Sequence, residues 1–236
     1  MLNISNLDVY YGQSQILKDI SINVREGQAV CLMGRNGVGK TTLIKAIIGA
    51  LKSRNGSIRY KGQDVTNGDA HKRARLGIGY VPQGRGIFPY LTVYENLLIG
   101  FEAVQGEMSA QEKEESIQDI YEIFPVLKDM RHRVAGTLSG GQQQQLAIGR
   151  TLVRKPTLVL LDEPTEGIQP NIVAQIEQVI HDLRANRGIS VLLIEQFLDF
   201  AMALADYTYV MENGEIVSQG NAQELDNAIV RDYLSV

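Results

Sequence analysis

Apolar residues in the first part of the chain come in short uninterrupted runs or in alternation, with turn residues between them. LNISNLDVYY, SINV and QAVCLMG are strand-like and are divided by Gly12 and by Glu26-Gly27. A glycine-rich loop runs from Gly34 to Gly39, and TTLIKAIIGAL after it has helical spacing. GSIRY and GIGYV predict two more strands, the second stopped by Pro82. From about Gly84 to Gly136 the pattern changes. LTVYENLLIGFEAV and SAQEKEESIQDIYEIFPVL set apolar residues at helical intervals among acids and amides. Alternation of strand and helix then resumes through TLVLLDE, NIVAQIEQVIHDLRA, SVLLIEQ, FLDFAMALAD and YTYVMENG, and NAQELDNAIVRDYLSV closes as an amphipathic helix. Apolar strands alternating with amphipathic helices imply a parallel sheet covered on both faces. The pattern predicts an α/β core with a helical region inserted.

Composition narrows the class. The 236 residues, 44% apolar and 21% charged, have the balance of an ordinary globular protein. No apolar run approaches the roughly 20 residues of a membrane-spanning helix, and MLNISNLDVYYG lacks the basic start and apolar core of a secretory signal. The chain is therefore expected to stay where it is made. A formal net charge of −4 argues against broad nucleic-acid binding. Cys31, the single cysteine, cannot form an internal disulfide and sits in the apolar run AVCLM, where a buried inert thiol is expected. His71, His132 and His181 are scattered without a second ligand at metal spacing. The run Glu112 to Glu115 is expected to be a solvated helix face.

The chemistry concentrates in two segments. GRNGVGKT, Gly34 to Thr41, fits G-x-x-x-x-G-K-[ST], follows an apolar strand and opens a helix. The backbone N–H groups of Gly34, Arg35, Asn36, Gly37, Val38 and Gly39 can cradle phosphates at a helix N-terminus. Lys40 is expected to contact the outer phosphates of ATP and the Thr41 hydroxyl to bind Mg²⁺, with Thr42 completing the segment. TLVLLDEP supplies an acid at the end of a buried strand. Two adjacent acids after four aliphatic residues are costly to bury unless they meet cations. Asp162 is expected to hold Mg²⁺, and Glu163 to orient or deprotonate the attacking water. The two segments together describe a P-loop nucleotide-hydrolysing domain.

A third segment, LSGGQQQQLAIGR, lies between the P-loop and the Asp162-Glu163 pair. Taken alone, Ser139-Gly140-Gly141 is a capped helix start with Ser139 as N-cap. In this order, P-loop, LSGGQ, DE, the chain resembles the ATP-binding cassette (ABC) family over essentially its whole length. The resemblance implies a mainly parallel core sheet, an antiparallel N-terminal β part and an inserted helical subdomain. The ATPase core would be 1–83 and 154–236, and the subdomain with the signature about 84–153. It also implies that two cassettes pair head to tail, as a heterodimer with a sister subunit or as a homodimer. Ser139, Gly140, Gly141 and Gln142 would then meet the γ-phosphate bound to the partner. Tyr11 would stack on adenine, and Gln83 would reach Mg²⁺ and the water. The segment from Gln83 to Leu98 would form the groove that receives a cytoplasmic helix of a membrane subunit. Gln196, in VLLIEQF, stands where the family usually has a histidine at the γ-phosphate, and Gln169 stands where an aspartate follows DEPT. Glutamine donates a hydrogen bond but carries no titrating proton near neutrality. The expected hydrolytic core is therefore Lys40, Asp162 and Glu163, with Gln196 as a neutral donor.

The Glu195-Gln196 pair is similar to that of the branched-chain amino acid and amide importers. Within that group GRNGVGKTT, YVPQGRGIFPYLTV, LSGGQQQQLAIGR, DEPTEGIQP and IEQFLDFA look most like the urea importers, with branched-chain amino acid import as the alternative. A lipid or lipopolysaccharide export ATPase would share every motif. The resemblance implies a peripheral protein on the cytoplasmic face of the cell membrane, linked to a periplasmic or extracellular solute-binding protein only through the membrane subunits. The coiled-coil arms of DNA-repair ABC proteins and the tandem cassettes of ribosome-acting ones do not fit one short insertion and one P-loop.

Overall fold

The computed structural model describes residues 1–103 and 108–222. In chain order it contains β1 (Leu2–Tyr11), β2 (Ser14–Val24), β3 (Ala29–Met33), α1 (Lys40–Ile48), β4 (Ser53–Tyr60), β5 (Gln63–Asp64), α2 (Ala70–Arg75) and β6 (Ile78–Val81). There follow α3 (Val93–Ile99), α4 (Ala110–Ile123), α5 (Pro125–Asp129) and α6 (Gly140–Leu152). The remainder is β7 (Leu158–Asp162), α7 (Pro170–Ala185), β8 (Ser190–Glu195), α8 (Leu198–Leu204), β9 (Tyr207–Glu212) and β10 (Glu215–Asn221).

Two sheets form. β2-β1-β4-β5 is antiparallel throughout. The second sheet has the order β10-β9-β3-β8-β7-β6, parallel from β9 to β6, with β10 added antiparallel at one edge. β3, β7 and β8 are buried at every position, so their aliphatic runs face core on both sides. Cys31, Val159, Leu161, Val191 and Leu193 join the core beneath α3 to α8. Val30, Leu32, Leu158, Leu160, Leu192 and Ile194 point the other way, into a core closed by the antiparallel sheet and α1. The parallel register places Met33 opposite Glu195 and Asp162 opposite Ile194. The carboxyl ends of β3, β7 and β8 thus share one rim, where ligands of open α/β sheets bind.

Several local boundaries differ from the sequence pattern. β2 starts at Ser14, well before SINV, because it pairs with β1 along the whole hairpin. α1 stops at Ile48 because Gly49 takes a left-handed C-cap conformation and its N–H bonds Ala46 O and Lys45 O. The helix expected through SAQEKEESIQDIYEIFPVL breaks at Phe124, where Pro125 opens a new helix as its first residue. β10 had no clear signal. The closing helix expected in NAQELDNAIVRDYLSV lies almost wholly outside the described residues. Among the described residues no helix is long and apolar enough to cross a membrane. Cys31 is fully buried, and burial pushes its thiol well above the usual range.

Candidate active site

The glycine-rich loop joins β3 to α1. Gly39, its last residue, has φ 118°, and a Cβ there would lie 2.8 Å from Leu17 Cδ2 on β2. A side chain is therefore disfavoured by the backbone conformation, and the end of the Leu17 side chain would have to shift to admit one. The next residue, Lys40, is only 5% exposed although it is a lysine. Its Nζ donates to Gly34 O at 2.6 Å and Arg35 O at 2.9 Å, and lies 3.6 Å from Glu163 Oε1. Burial lowers the Lys40 pKa, and the charge of Glu163 opposes that shift.

The acid pair ends β7. Asp162 is 1% exposed, and burial first, then the Glu163 charge, raises its pKa to about 6. Tyr80, on β6, donates its hydroxyl to Asp162 Oδ2 at 3.4 Å, whereas Oδ1 is buried with no hydrogen-bond partner among the described residues. An unpaired buried carboxylate oxygen beside the first turn of the P-loop helix fits a hard cation such as Mg²⁺. Asp162 and the Thr41 hydroxyl are the side chains that would hold it.

Glu163 sits in the left-handed region with φ 48°, a conformation that costs free energy in a residue with a Cβ. Its N–H bonds Ile194 O at 3.0 Å, which ties the acid to the neighbouring strand β8. Its carboxylate is a meeting point. Oε2 accepts from Gln83 Nε2 at 3.0 Å, and Oε1 accepts from Gln196 Nε2 at 2.6 Å. The same Gln196 amide donates to Asn36 Oδ1 in the glycine-rich loop at 2.8 Å. Lys40, Asn36, Gln83, Glu163 and Gln196 are thereby brought into one cluster by four separate segments. Two participants carried no sequence signal of their own: Tyr80 on Asp162, and Glu166, which accepts from Gln83 Nε2 at 3.1 Å. The register that sets Tyr80 beside Leu160 is what brings the phenol to Asp162.

The other expected residues lie elsewhere. Tyr11 ends β1 at the hairpin turn and is 46% exposed, with its ring available to stack. Ser139 caps α6: its Oγ accepts from Gln142 N at 3.3 Å, and Gln142 Oε1 accepts from Ser139 N at 2.9 Å. These bonds stay within the turn, so within one chain the signature is not brought to Lys40. A Cβ on Gly141 would lie 2.9 Å from the Ile172 side chain, so glycine here lets α7 approach closely. A cavity of about 500 Å³ beside this turn is lined by Ser139, Gly141, Gln142 and Gln169. In the segment after Gln83, Phe88 and Tyr90 are 45% and 92% exposed.

A phosphate loop with a buried lysine, an acid pair on the next-but-one strand and a separate capped glycine turn define an ABC nucleotide-binding cassette. The profile of the ABC transporter family matches residues 17–166, and the chain belongs to that family as one of its ATPase cassettes. Among its relatives, the high-affinity branched-chain amino acid transport ATP-binding protein BraG of Pseudomonas aeruginosa is 43% identical over 234 residues, 98% of each chain. The lipopolysaccharide export system ATP-binding protein LptB of Haemophilus influenzae is 34% identical over 236 residues, 99% of this chain and 97% of its own. The ADP conformation of the cassette MJ1267 superposes with a TM-score of 0.86 at 32% identity, covering 100% of this chain and 99% of that one. A dimeric post-hydrolysis structure of the cassette MJ0796 with ADP and Pi has a TM-score of 0.84 at 26% identity, covering 95% and 100%.

Proposed function

We propose that this chain is the ATP-hydrolysing subunit of an ABC importer in the branched-chain amino acid and amide group, with urea or a short amide as the solute. The observation that carries the ATPase roles is the Glu163 carboxylate, placed beside Lys40 and Asp162 and bonded by two neutral amides, Gln83 and Gln196. ATP phosphates entering the loop of residues 34–42 offer Lys40 a stronger acceptor than two carbonyls and release its ammonium from Glu163. Glu163, freed of that cation, orients or deprotonates the attacking water. Gln196 donates to the γ-phosphate without titrating, and Tyr11 stacks on adenine. Asp162 and Thr41 would hold Mg²⁺, with Gln83 reaching toward it, and the ion would supply charge neutralisation at the phosphates.

Ser139, Gly140, Gly141 and Gln142 complete the site of a second cassette when two chains close head to tail. The dimeric structure of MJ0796 with ADP and Pi supports the pairing of two cassettes. A helix N-terminus that meets the phosphates only on closure favours the closed state when ATP is bound. The exposed Phe88 and Tyr90, in the segment from Gln83 to Leu98, suit docking of a membrane subunit's cytoplasmic helix. The chain then lies on the cytoplasmic face of the membrane.

Urea is favoured by the motif resemblance of YVPQGRGIFPYLTV, DEPTEGIQP and IEQFLDFA. The full-length likeness to BraG favours a second reading, branched-chain amino acid import. Uptake of labelled urea and labelled leucine by cells lacking the gene, then supplied with wild type or Glu163→Gln, separates the two. Loss of urea uptake alone, restored by wild type and not by Glu163→Gln, is expected. Loss of leucine uptake alone assigns the second reading, and no change in either rejects an importer of these solutes.

A further inference from the structure

Glu195 ends β8, is 1% exposed, and has none of the roles described above. Its two carboxylate oxygens are divided between two loops. Oε1 accepts from Thr165 Oγ at 2.6 Å and Thr165 N at 3.3 Å. Oε2 accepts from Gln196 N at 3.0 Å and Phe197 N at 3.4 Å. Thr165 is itself buried and lies two residues beyond Glu163, while Gln196 is the residue that donates to Glu163. Burial pushes the Glu195 carboxyl up, and the donors from Thr165, Gln196 and Phe197 pull it down. An acceptor-only group facing four donors is what a carboxylate supplies and a neutral amide cannot.

We propose that Glu195 is a positioning residue for ATP hydrolysis: it ties the loop that carries Glu163 to the turn that carries Gln196 and so sets the contact between them. The proposal rests on the reading that Glu163 assists hydrolysis. The tie continues through Gln196 to Asn36, so the phosphate loop, the acid and the neutral donor share one anchored frame. Glu195→Gln keeps the volume but sets an NH₂ group either against Thr165 N or against Gln196 N and Phe197 N, so at least one backbone donor loses its acceptor and that loop is released. The phosphate loop and its lysine are built on β3 and α1, so nucleotide binding should survive that release.

The test is steady-state hydrolysis of Mg-ATP and binding of a fluorescent ATP analogue by the 236-residue chain. Glu195→Gln should lower kcat by about tenfold or more while KM and the analogue's Kd stay within about threefold, because misplacing a positioned group costs rate rather than binding. Thr165→Val should follow it, Thr165→Ser should stay near wild type, and Glu195→Gln with Thr165→Val should be little worse than Glu195→Gln alone. Wild-type kcat in Glu195→Gln overturns the proposal, as does a parallel loss of kcat and nucleotide affinity. If Glu195→Gln does not fold, Thr165→Val decides: wild-type kcat overturns the proposal, and a loss that Thr165→Ser does not share supports it. Glu163→Gln is measured alongside. Wild-type hydrolysis in that variant sinks the reading of Glu163 itself, whereas an active Glu195→Gln beside an inactive Glu163→Gln sinks only the positioning role.

Discussion

Asp162 illustrates the conflict between stability and chemistry at a single residue. Its carboxyl is raised by burial to about 6 from an ordinary value near 3.8. A carboxyl raised in the folded state binds its proton more tightly there than in the unfolded chain. Metal-free stability therefore falls as pH rises from about 4 to about 6, and the cost, at most about 3 kcal/mol, is fully present above that. Asp162→Asn removes the charge at similar volume. Without Mg²⁺ at pH 8 its Tm should exceed wild type by several degrees, on the scale of roughly 2–4 °C per kcal/mol for a chain of this size. The advantage should shrink at pH 4.5, and Mg²⁺-dependent hydrolysis should drop by a factor of about 100 or more. Thermal melts at the two pH values check this, and an Asp162→Asn protein less stable than wild type at pH 8 contradicts it.

At the scale of the element, the helical region is organised by repeated start signals. Thr92 with Glu95, Ser109 with Glu112, and Ser139 with Gln142 each form a reciprocal capping box at the head of α3, α4 and α6. The first two boxes serve only their helices. The third occupies the residues proposed to meet the partner's nucleotide, so a functional role is proposed for Ser139 beside its structural one. Ser139→Ala should cost about 1 kcal/mol of stability, the usual loss of an N-cap. Thr92→Ala should cost a similar amount. Only Ser139→Ala should also slow hydrolysis, and equal activity in the two variants would remove the functional role. Of the three, only the Ser139 cap was read from the sequence, although each box is a local signal between residues three apart. The break between α4 and α5 was less visible, because the apolar spacing runs through Phe124 and Pro125 unchanged.

Across the whole molecule, the proposed head-to-tail closure would depend on ATP being present and uncleaved. Glu163→Gln keeps the shape of the side chain and removes its basicity, so bound ATP should persist. With ATP and Mg²⁺ the variant should run at about twice the 26.1 kDa of the chain in size-exclusion chromatography with light scattering, and it should return to the single mass without ATP. If it dimerises only when a sister cassette is added, the working pair is a heterodimer. A variant that stays monomeric under both conditions rules out the closure described above.

The amino-acid sequence alone specified the parts whose chemistry is contiguous. Gly34 to Thr41, the Asp162-Glu163 pair and the Ser139 turn are each a few consecutive residues, so type and spacing suffice to state what they can bind. The alternation of apolar runs was enough for an α/β core with an inserted helical region. It did not say that one face of the parallel sheet is closed largely by an antiparallel sheet, since strands that cover a core and strands that form one share the same apolar character. The tertiary structure also decided the surroundings of Glu163. Its amide partners are 80 and 33 residues away, and they meet because β6, β7 and β8 lie parallel and in register, ending on one rim. Backbone pairing between strands sets that register, and no local pattern encodes which distant side chains it brings within hydrogen-bonding distance.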